Sequence, residues 1–186
     1  MKTLRGIIDL NNKKILLRAD FDVPVSEDFK IIDSFRIIKQ KPLIDFLAEK
    51  GAKVLIIAHI SGSPVGGDSF ADLIPQFHIL LGREIGFISQ LEQIRQFEQQ
   101  GQIVLLDNIR KFPGEKENSE QFAEELSKGF DLYINNAFAV CHRNHASVSA
   151  ITKFLPSYAG PLLEEETSKL NEAINTPKEG KVLIIG

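Results

Sequence analysis

Short apolar runs recur along the chain, separated by stretches in which apolar and charged residues alternate at longer intervals. KKILLRAD (13–20), AKVLIIAH (52–59), IGFI (85–88), QIVLLDN (102–108) and DLYINN (131–136) are nearly continuous in apolar residues, as strands are when both sheet faces are covered. Between them, SFRIIKQKPLIDFLAEKG, DSFADLIPQFHILLG, SQLEQIRQFEQQG and NSEQFAEELSKG carry helical spacing. Several open on Ser, Asp or Asn and close on Gly, the usual start and stop chemistry. Pro42 and Pro75 predict kinks or early ends in the first two. Repeated strand–helix–strand crossovers imply a doubly wound, Rossmann-like parallel sheet with helices on both faces, a three-layer αβα fold. Residues 150–175 read as helical, broken at FLPSYAGP, with Leu162, Leu163, Leu170, Ala173 and Ile174 as the buried stripe. KVLIIG, at 181–186, reads as a further strand.

Length and composition narrow the class. The 186 residues suffice for one domain, and a 43% hydrophobic and 25% charged make-up is that of a folded chain. A formal net charge of -3 gives no global attraction to nucleic acid or an acidic membrane, so any anion site must be built locally. The opening MKTLRGIIDLNNKK lacks the apolar block of a signal peptide. No run approaches the ~20 apolar residues of a membrane span. The single cysteine, Cys141, forms no internal disulfide and suits a reducing compartment. A cytoplasmic monomer is expected.

In a parallel sheet the loops that follow the strands share one edge, where ligands collect. Those loops carry Asp20 and Asp22 in ADFDVP, His59 in AHISGSP, Arg110 in DNIRKFPGE, and Asn135, Asn136, His142 and Arg143 in NNAFAVCHRNHAS. Arg36 joins them from the start of the first helical segment. Arginines facing one crevice repel unless an anion fills it, and guanidinium binds phosphate and carboxylate through paired hydrogen bonds. A small polyanion is the natural occupant. Taken singly, each residue has a plainer reading: Arg36 and Arg110 as solvated charges, His59 as a hydrogen-bonded strand end, Asp20 as a turn acceptor. Arg5, Arg83 and Arg95 read as solvated, Arg18 as a strand residue paired with a carboxylate, and Cys141 as a small buried hydrophobe. His142 and His145 lack the further ligands a zinc site needs. No G-x-S-x-G turn, P-loop or G-x-G-x-x-G follows a strand, and SGSPVGG lacks the lysine and spacing of a phosphate loop.

Seven segments in register, LLRADFDVP, KIIDSFRI, LAEKGAKVLIIAHISGSP, LLDNIRKFPGE, NNAFAVCHRNHAS, KFLPSYAGPLLEEE and KVLIIG, resemble the N-terminal half of phosphoglycerate kinases across essentially the whole chain. The resemblance implies phosphoryl transfer between 1,3-bisphosphoglycerate and ADP, or 3-phosphoglycerate and ATP in reverse. It implies that this chain supplies the phosphoglycerate-binding half and that the magnesium nucleotide, Mg-ATP or Mg-ADP, binds only through an absent C-terminal domain. Residues 1–175 would be the N-terminal domain, and 176–186 the linker and first strand of the other. Asp20 and Asp22 would lie at the glycerate hydroxyl and carboxyl end, with His59, Arg110 and Arg143 as substrate ligands. Arg36 would be the catalytic cation that steadies the transferring phosphoryl group, and no metal ligand is implied. The competing reading is a non-catalytic anion- or protein-binding module derived from such a domain.

The chain also departs from the family pattern. Asp22 stands where the family has Asn, placing a carboxylate beside an anionic ligand, with repulsion expected unless Asp22 pairs with a cation. HISGSP replaces His-Leu-Gly-Arg-Pro, is one residue longer and has Ser63 before the proline, so a loop arginine is lost. Such a loss costs about 1.5 to 3 kcal/mol of charge-assisted bonding. Asn136 stands where the family has Asp, and Lys111, at a position usually aromatic, is expected to restore some positive potential.

Overall fold

The structure is a computed structural model that describes residues 2–4, 9–61, 68–177 and 182. Six strands form one sheet: β1 (Lys14–Arg18), β2 (Lys53–Ile57), β3 (Gly86–Ile88), β4 (Ile103–Leu106), β5 (Leu132–Asn135) and β6 (Ser157–Ala159). Their order is β3-β4-β2-β1-β5-β6 and every pairing is parallel. Four α-helices accompany them: α1 (Phe35–Glu49), α2 (Ile74–Leu81), α3 (Glu120–Ser127) and α4 (Pro161–Asn175).

Alternate residues of the strands feed two separate cores. Ile15 and Leu17 of β1, Val54 and Ile56 of β2 and Ile134 of β5 pack with Ile37, Ile44 and Leu47 of α1 and Phe77 of α2. Leu16, Leu55, Leu106 and Tyr133 pack on the other face with Phe97, with Phe122 and Leu126 of α3, and with Ile151. This is why the strand runs are continuously apolar: period two is present in space but both faces need apolar residues. The expected three-layer, doubly wound fold is the one found.

Several local expectations differ. α1 runs through Pro42 without ending. The carbonyl robbed of its partner belongs to the exposed Ile38, and burial of Leu43, Ile44 and Leu47 holds the helix across the gap. Pro75 lies in the first turn of α2, where its missing N–H costs nothing, so it starts the helix rather than breaking it. SQLEQIRQFEQQG forms 3-10 turns over Leu91–Gln100 with a non-helical break at Gln96, not an α-helix. β6 has no counterpart among the expected strands. It lies inside FLPSYAGP and is held by pairing with β5 and by the Ala159 N–H donating to the Lys2 carbonyl at 2.8 Å.

The predicted buried stripe on α4 is contradicted: no residue of that helix is buried, and Leu170 and Ile174 are exposed. The strand expected at KVLIIG lies, apart from Val182, outside the described residues, as do Ser63 and Arg5.

Asn136 ties three elements together where β5 ends. Its side-chain N–H donates to Gln40 of α1 at 2.8 Å, and its Oδ1 accepts from the Leu162 N–H in the first turn of α4 at 3.0 Å. A neutral amide can do both; a carboxylate could only accept. Gly160 is needed beside it because a Cβ there would fall 2.8 Å from the Asn136 Cβ and nearer still to its amide. Gly160→Ala should destabilise the fold by about 1 to 3 kcal/mol through overpacking, read as a lower urea midpoint at unchanged slope.

Candidate functional site

At the carboxyl edge of the sheet, β1 leads into Asp20 and Asp22, β2 into His59 and Ser61, β4 into Arg110, and β5 into His142 and Arg143. Helices α1 and α2 cover one face while α3 covers the other, so the chain leaves β1 and β2 toward one layer and β4 toward the opposite one. Such a reversal opens a crevice between neighbouring strand ends. A cavity of about 270 Å³ lies there, lined among others by Asp22, Arg36, His59, Arg110, His142 and Arg143. The structure thus brings together five of the six residues to which the resemblance assigns a role, with His142 beside them. The sixth, Asp20, lines an adjoining cleft that shares Arg36.

Each guanidinium is placed by its backbone and left underused. Asn108 caps the short turn that carries Arg110: its Oδ1 accepts from the Arg110 N–H at 3.1 Å, and its amide donates to the Ile60 carbonyl at 2.8 Å. The buried Ile109 roots the turn, yet the buried Nε of Arg110 has no hydrogen-bond partner. Arg143 is exposed, held through its backbone N–H to the Val140 carbonyl at 2.9 Å, and among the described residues it has no acidic partner. Arg36 sits in the first turn of α1, where the helix dipole disfavours a cation. Its Nη1 lies 3.4 Å from both Asp20 oxygens, longer than the roughly 2.7 to 2.9 Å of a strong charge-assisted bond. Three cations with donors to spare around one small space have the chemistry that an anion complements.

Asp22 does not repel freely into that space, but the partner that relieves it is not the cation anticipated. Its Oδ1 accepts from the Ser61 N–H at 2.9 Å and hydroxyl at 2.8 Å, and its Oδ2 lies 3.3 Å from His59 Nε2. Burial pushes this carboxyl up, but the bonds from His59 and Ser61 together outweigh it and hold Asp22 well below the usual carboxylate range. His59 itself is pushed down, chiefly by burial and further by the charges of Arg18 and Arg110, against the pull of Asp22. It is therefore a neutral donor at neutral pH.

Beneath the cavity lies a buried polar network that the sequence does not announce. Arg18, fully buried, donates from Nε to Ser147 Oγ at 3.2 Å, from Nη1 to the Ala19 carbonyl at 2.7 Å, and from Nη2 to His59 Nδ1 at 3.0 Å. Among the described residues it makes no direct carboxylate pair, contrary to expectation. Ser147 intervenes, giving its proton to Glu115 Oε1 at 2.6 Å, while its N–H donates to Glu115 Oε2 at 2.9 Å. Burial lowers the Arg18 pKa and the Glu115 charge opposes that. Only the position of Arg18 inside an apolar strand signals this network; Ser147 and Glu115 carry no signal of their own.

Three further expectations are corrected. Lys111 does not add potential to the cavity, because its Nζ is held at 2.6 Å by Asp107, a buried carboxylate that also accepts from the Phe70 and Asn108 N–H groups. Cys141 is exposed rather than buried, because its loop turns outward after Val140. The solvated reading of Arg83 also fails in part, since its Nε lies 3.1 Å from Asp45 on α1.

The structure is thus a doubly wound α/β domain with three arginines converging on one strand-end crevice. The family model described as phosphoglycerate kinase matches residues 6–186, and the chain belongs to that family. It is 39% identical to a phosphoglycerate kinase of Desulforapulum autotrophicum over 100% of this chain and 50% of that protein. It is 40% identical to one of Nostoc punctiforme over 96% and 46%. Among solved structures, the phosphoglycerate kinase from Pyrococcus horikoshii superposes with a TM-score of 0.83 at 28% identity over 97% of this chain and 47% of that one. That from Coxiella burnetii gives 0.80 at 27% over 95% and 46%. The chain spans about half the length of the curated relatives it matches.

The depressed pKa values set a pH dependence. A histidine pushed down binds fewer protons when folded than unfolded, so stability from His59 is present above the unfolded value of about 6.5 and lost as pH falls below it. The depressed Asp22 adds a loss only at much lower pH, as the carboxylate is protonated. Urea unfolding between pH 8 and 5 should show falling stability, with a shallower fall in His59→Gln.

Proposed function

We propose that this chain is the phosphoglycerate-binding half of a phosphoglycerate kinase, with residues 1–175 as the binding domain and 176–186 as the link to a nucleotide-binding half. The observation that carries the proposal is the cavity of about 270 Å³ where Arg36, Arg110 and Arg143 converge with their donors largely unspent. Near the lower end of the ~300 to 1,000 Å³ usual for small-molecule sites, it suits a three-carbon phosphorylated acid. In this reading Arg110, Arg143 and His59 hold the anionic ligand, and Asp20 and Asp22 lie at its hydroxyl and carboxyl end.

In the reaction, the phosphoryl group on the carboxyl oxygen of 1,3-bisphosphoglycerate passes to ADP, leaving 3-phosphoglycerate and ATP. Phosphoryl transfer depends chiefly on positioning and on neutralising charge on the moving oxygens. Arg36 is suited to that neutralisation. Half exposed at the junction of two clefts and loosely engaged with Asp20, it can turn toward a charge that develops there. The magnesium nucleotide belongs to the half that this chain does not span. Among the described residues no group of three or more His, Cys, Asp or Glu side chains is arranged to hold a metal ion. No described helix is long and apolar enough to cross a membrane; a cytoplasmic monomer is part of the proposal.

Calorimetric titration with 3-phosphoglycerate tests this. Saturable binding at millimolar concentration or tighter is expected, weakened about tenfold or more by Arg110→Ala or Arg143→Ala, the loss of one charge-assisted contact. Absence of binding would refute it. The chain alone should show no ATP-dependent phosphorylation of 3-phosphoglycerate.

One observation favours the second reading, a divergent anion- or protein-binding module: a carboxylate, Asp22, lines the cavity. If the site still binds phosphoglycerate, Asp22 works against the ligand's charge. Asp22→Asn should then tighten binding about fivefold, the equivalent of about 1 kcal/mol. No change in affinity would show that the carboxylate does not face the ligand.

A further inference from the structure

The donor geometry around Arg18 determines which nitrogen of His59 carries the proton. A guanidinium has five N–H donors and no acceptor. Nη2 of Arg18 lies 3.0 Å from His59 Nδ1, so Nδ1 must be the bare, accepting nitrogen. The ring proton is then on Nε2, which faces Asp22 Oδ2 at 3.3 Å and borders the cavity. This direction is imposed from below. Arg18, Ser147 and Glu115 are all fully buried, and the Ser147 hydroxyl accepts from Arg18 Nε and donates to Glu115 Oε1. The Tyr133 hydroxyl donates to the Ser147 carbonyl at 2.6 Å and fixes its backbone.

We propose that Glu115 and Ser147 are positioning residues which, through Arg18, hold His59 as a neutral ring protonated on Nε2, so that its N–H stays on Asp22 at the edge of the cavity and offsets that carboxylate's charge. The opposite tautomer would turn a lone pair toward Asp22 Oδ2 and leave that carboxylate's charge uncompensated beside the anion. The proposal rests on reading the cavity as the phosphoglycerate site, and assigns its control to residues that do not touch the ligand. The charged groups facing His59 are Arg18 from β1, Asp22 from the loop after it, and Arg110 from the turn after β4; the two arginines oppose a second ring proton, and Asp22 favours it.

Long-range proton–nitrogen correlation spectra of the labelled chain, without ligand, read the ring directly. In the native chain His59 should show a bare Nδ1 and a protonated Nε2, and keep that pattern below the ordinary imidazole value of about 6.5. Ser147→Ala removes the hydroxyl link and shrinks a side chain that is already small. In it, and in Glu115→Gln, the His59 pattern should become a mixture of tautomers or titrate at higher pH, and 3-phosphoglycerate affinity should fall about threefold to tenfold. A protonated Nδ1 in the native chain at pH 7, or an unchanged His59 pattern in Ser147→Ala, would overturn the proposal. Because the ring signals need no ligand, a native chain that shows the expected pattern yet fails to bind 3-phosphoglycerate would refute the functional reading and leave the positioning role standing.

Discussion

A guanidinium buried at the end of a central strand is the constraint around which the candidate site is organised. Removing a cation from water costs several kcal/mol unless its donors are satisfied, and Arg18 is wholly enclosed. Its bonds go to the backbone of its own strand, to the loop after β2 through His59, and to the segment after β5 through Ser147. Glu115, from the segment after β4, completes the set by binding both the hydroxyl and the N–H of Ser147. Four chain segments that are far apart in sequence thus meet at one cation. None can shift without stranding a buried charge, so the arginines those segments carry outward are held in fixed relation.

The contrast between the lower and upper layers of the site follows from this. Below, Arg18, Ser147 and Glu115 are bound to one another and to the backbone; above, Arg110 has a buried Nε without a partner and Arg36 holds Asp20 at long range. Converging cations destabilise an empty site by mutual repulsion, and a ligand that binds only the folded state returns that stability. The rigid layer underneath lets the upper layer stay unsatisfied without collapsing. Asp107 contributes similar rigidity at the flank, binding Lys111 and the N–H groups of Phe70 and Asn108, and in doing so it withdraws the Lys111 charge from the cavity.

How much of this is legible in the sequence depends on whether a residue's role is local. The strands β1, β2, β4 and β5 are readable because sheets covered on both faces demand unbroken apolar runs, and the parallel order then places Asp22, Arg36, His59, Arg110 and Arg143 on one edge. β6 is not readable: Ser157–Ala159 has no run of its own and exists through pairing with β5. The stripe on α4 misleads because spacing shows that a helix has an apolar face, not that the face is buried, and Leu170 and Ile174 are exposed. Leu91–Gln100 keeps helical spacing while its backbone breaks at Gln96, since spacing does not report dihedral angles. The partnership of Arg18 with Ser147 spans 129 positions, a distance no local pattern encodes.

Asp22 shows the same limit from the other side. As a sequence feature it is a negative charge beside an expected anion, and the economical inference is that a cation must neutralise it. The structure instead divides its charge among three neutral donors: the His59 ring N–H and the backbone and hydroxyl groups of Ser61. That solution works only because Arg18 occupies Nδ1 and so leaves Nε2 with the proton. The identity of residue 22 and the arginine buried beneath the cavity are therefore one problem: exchange the donor at Nδ1, and the carboxylate in the cavity loses the ring N–H that offsets its charge.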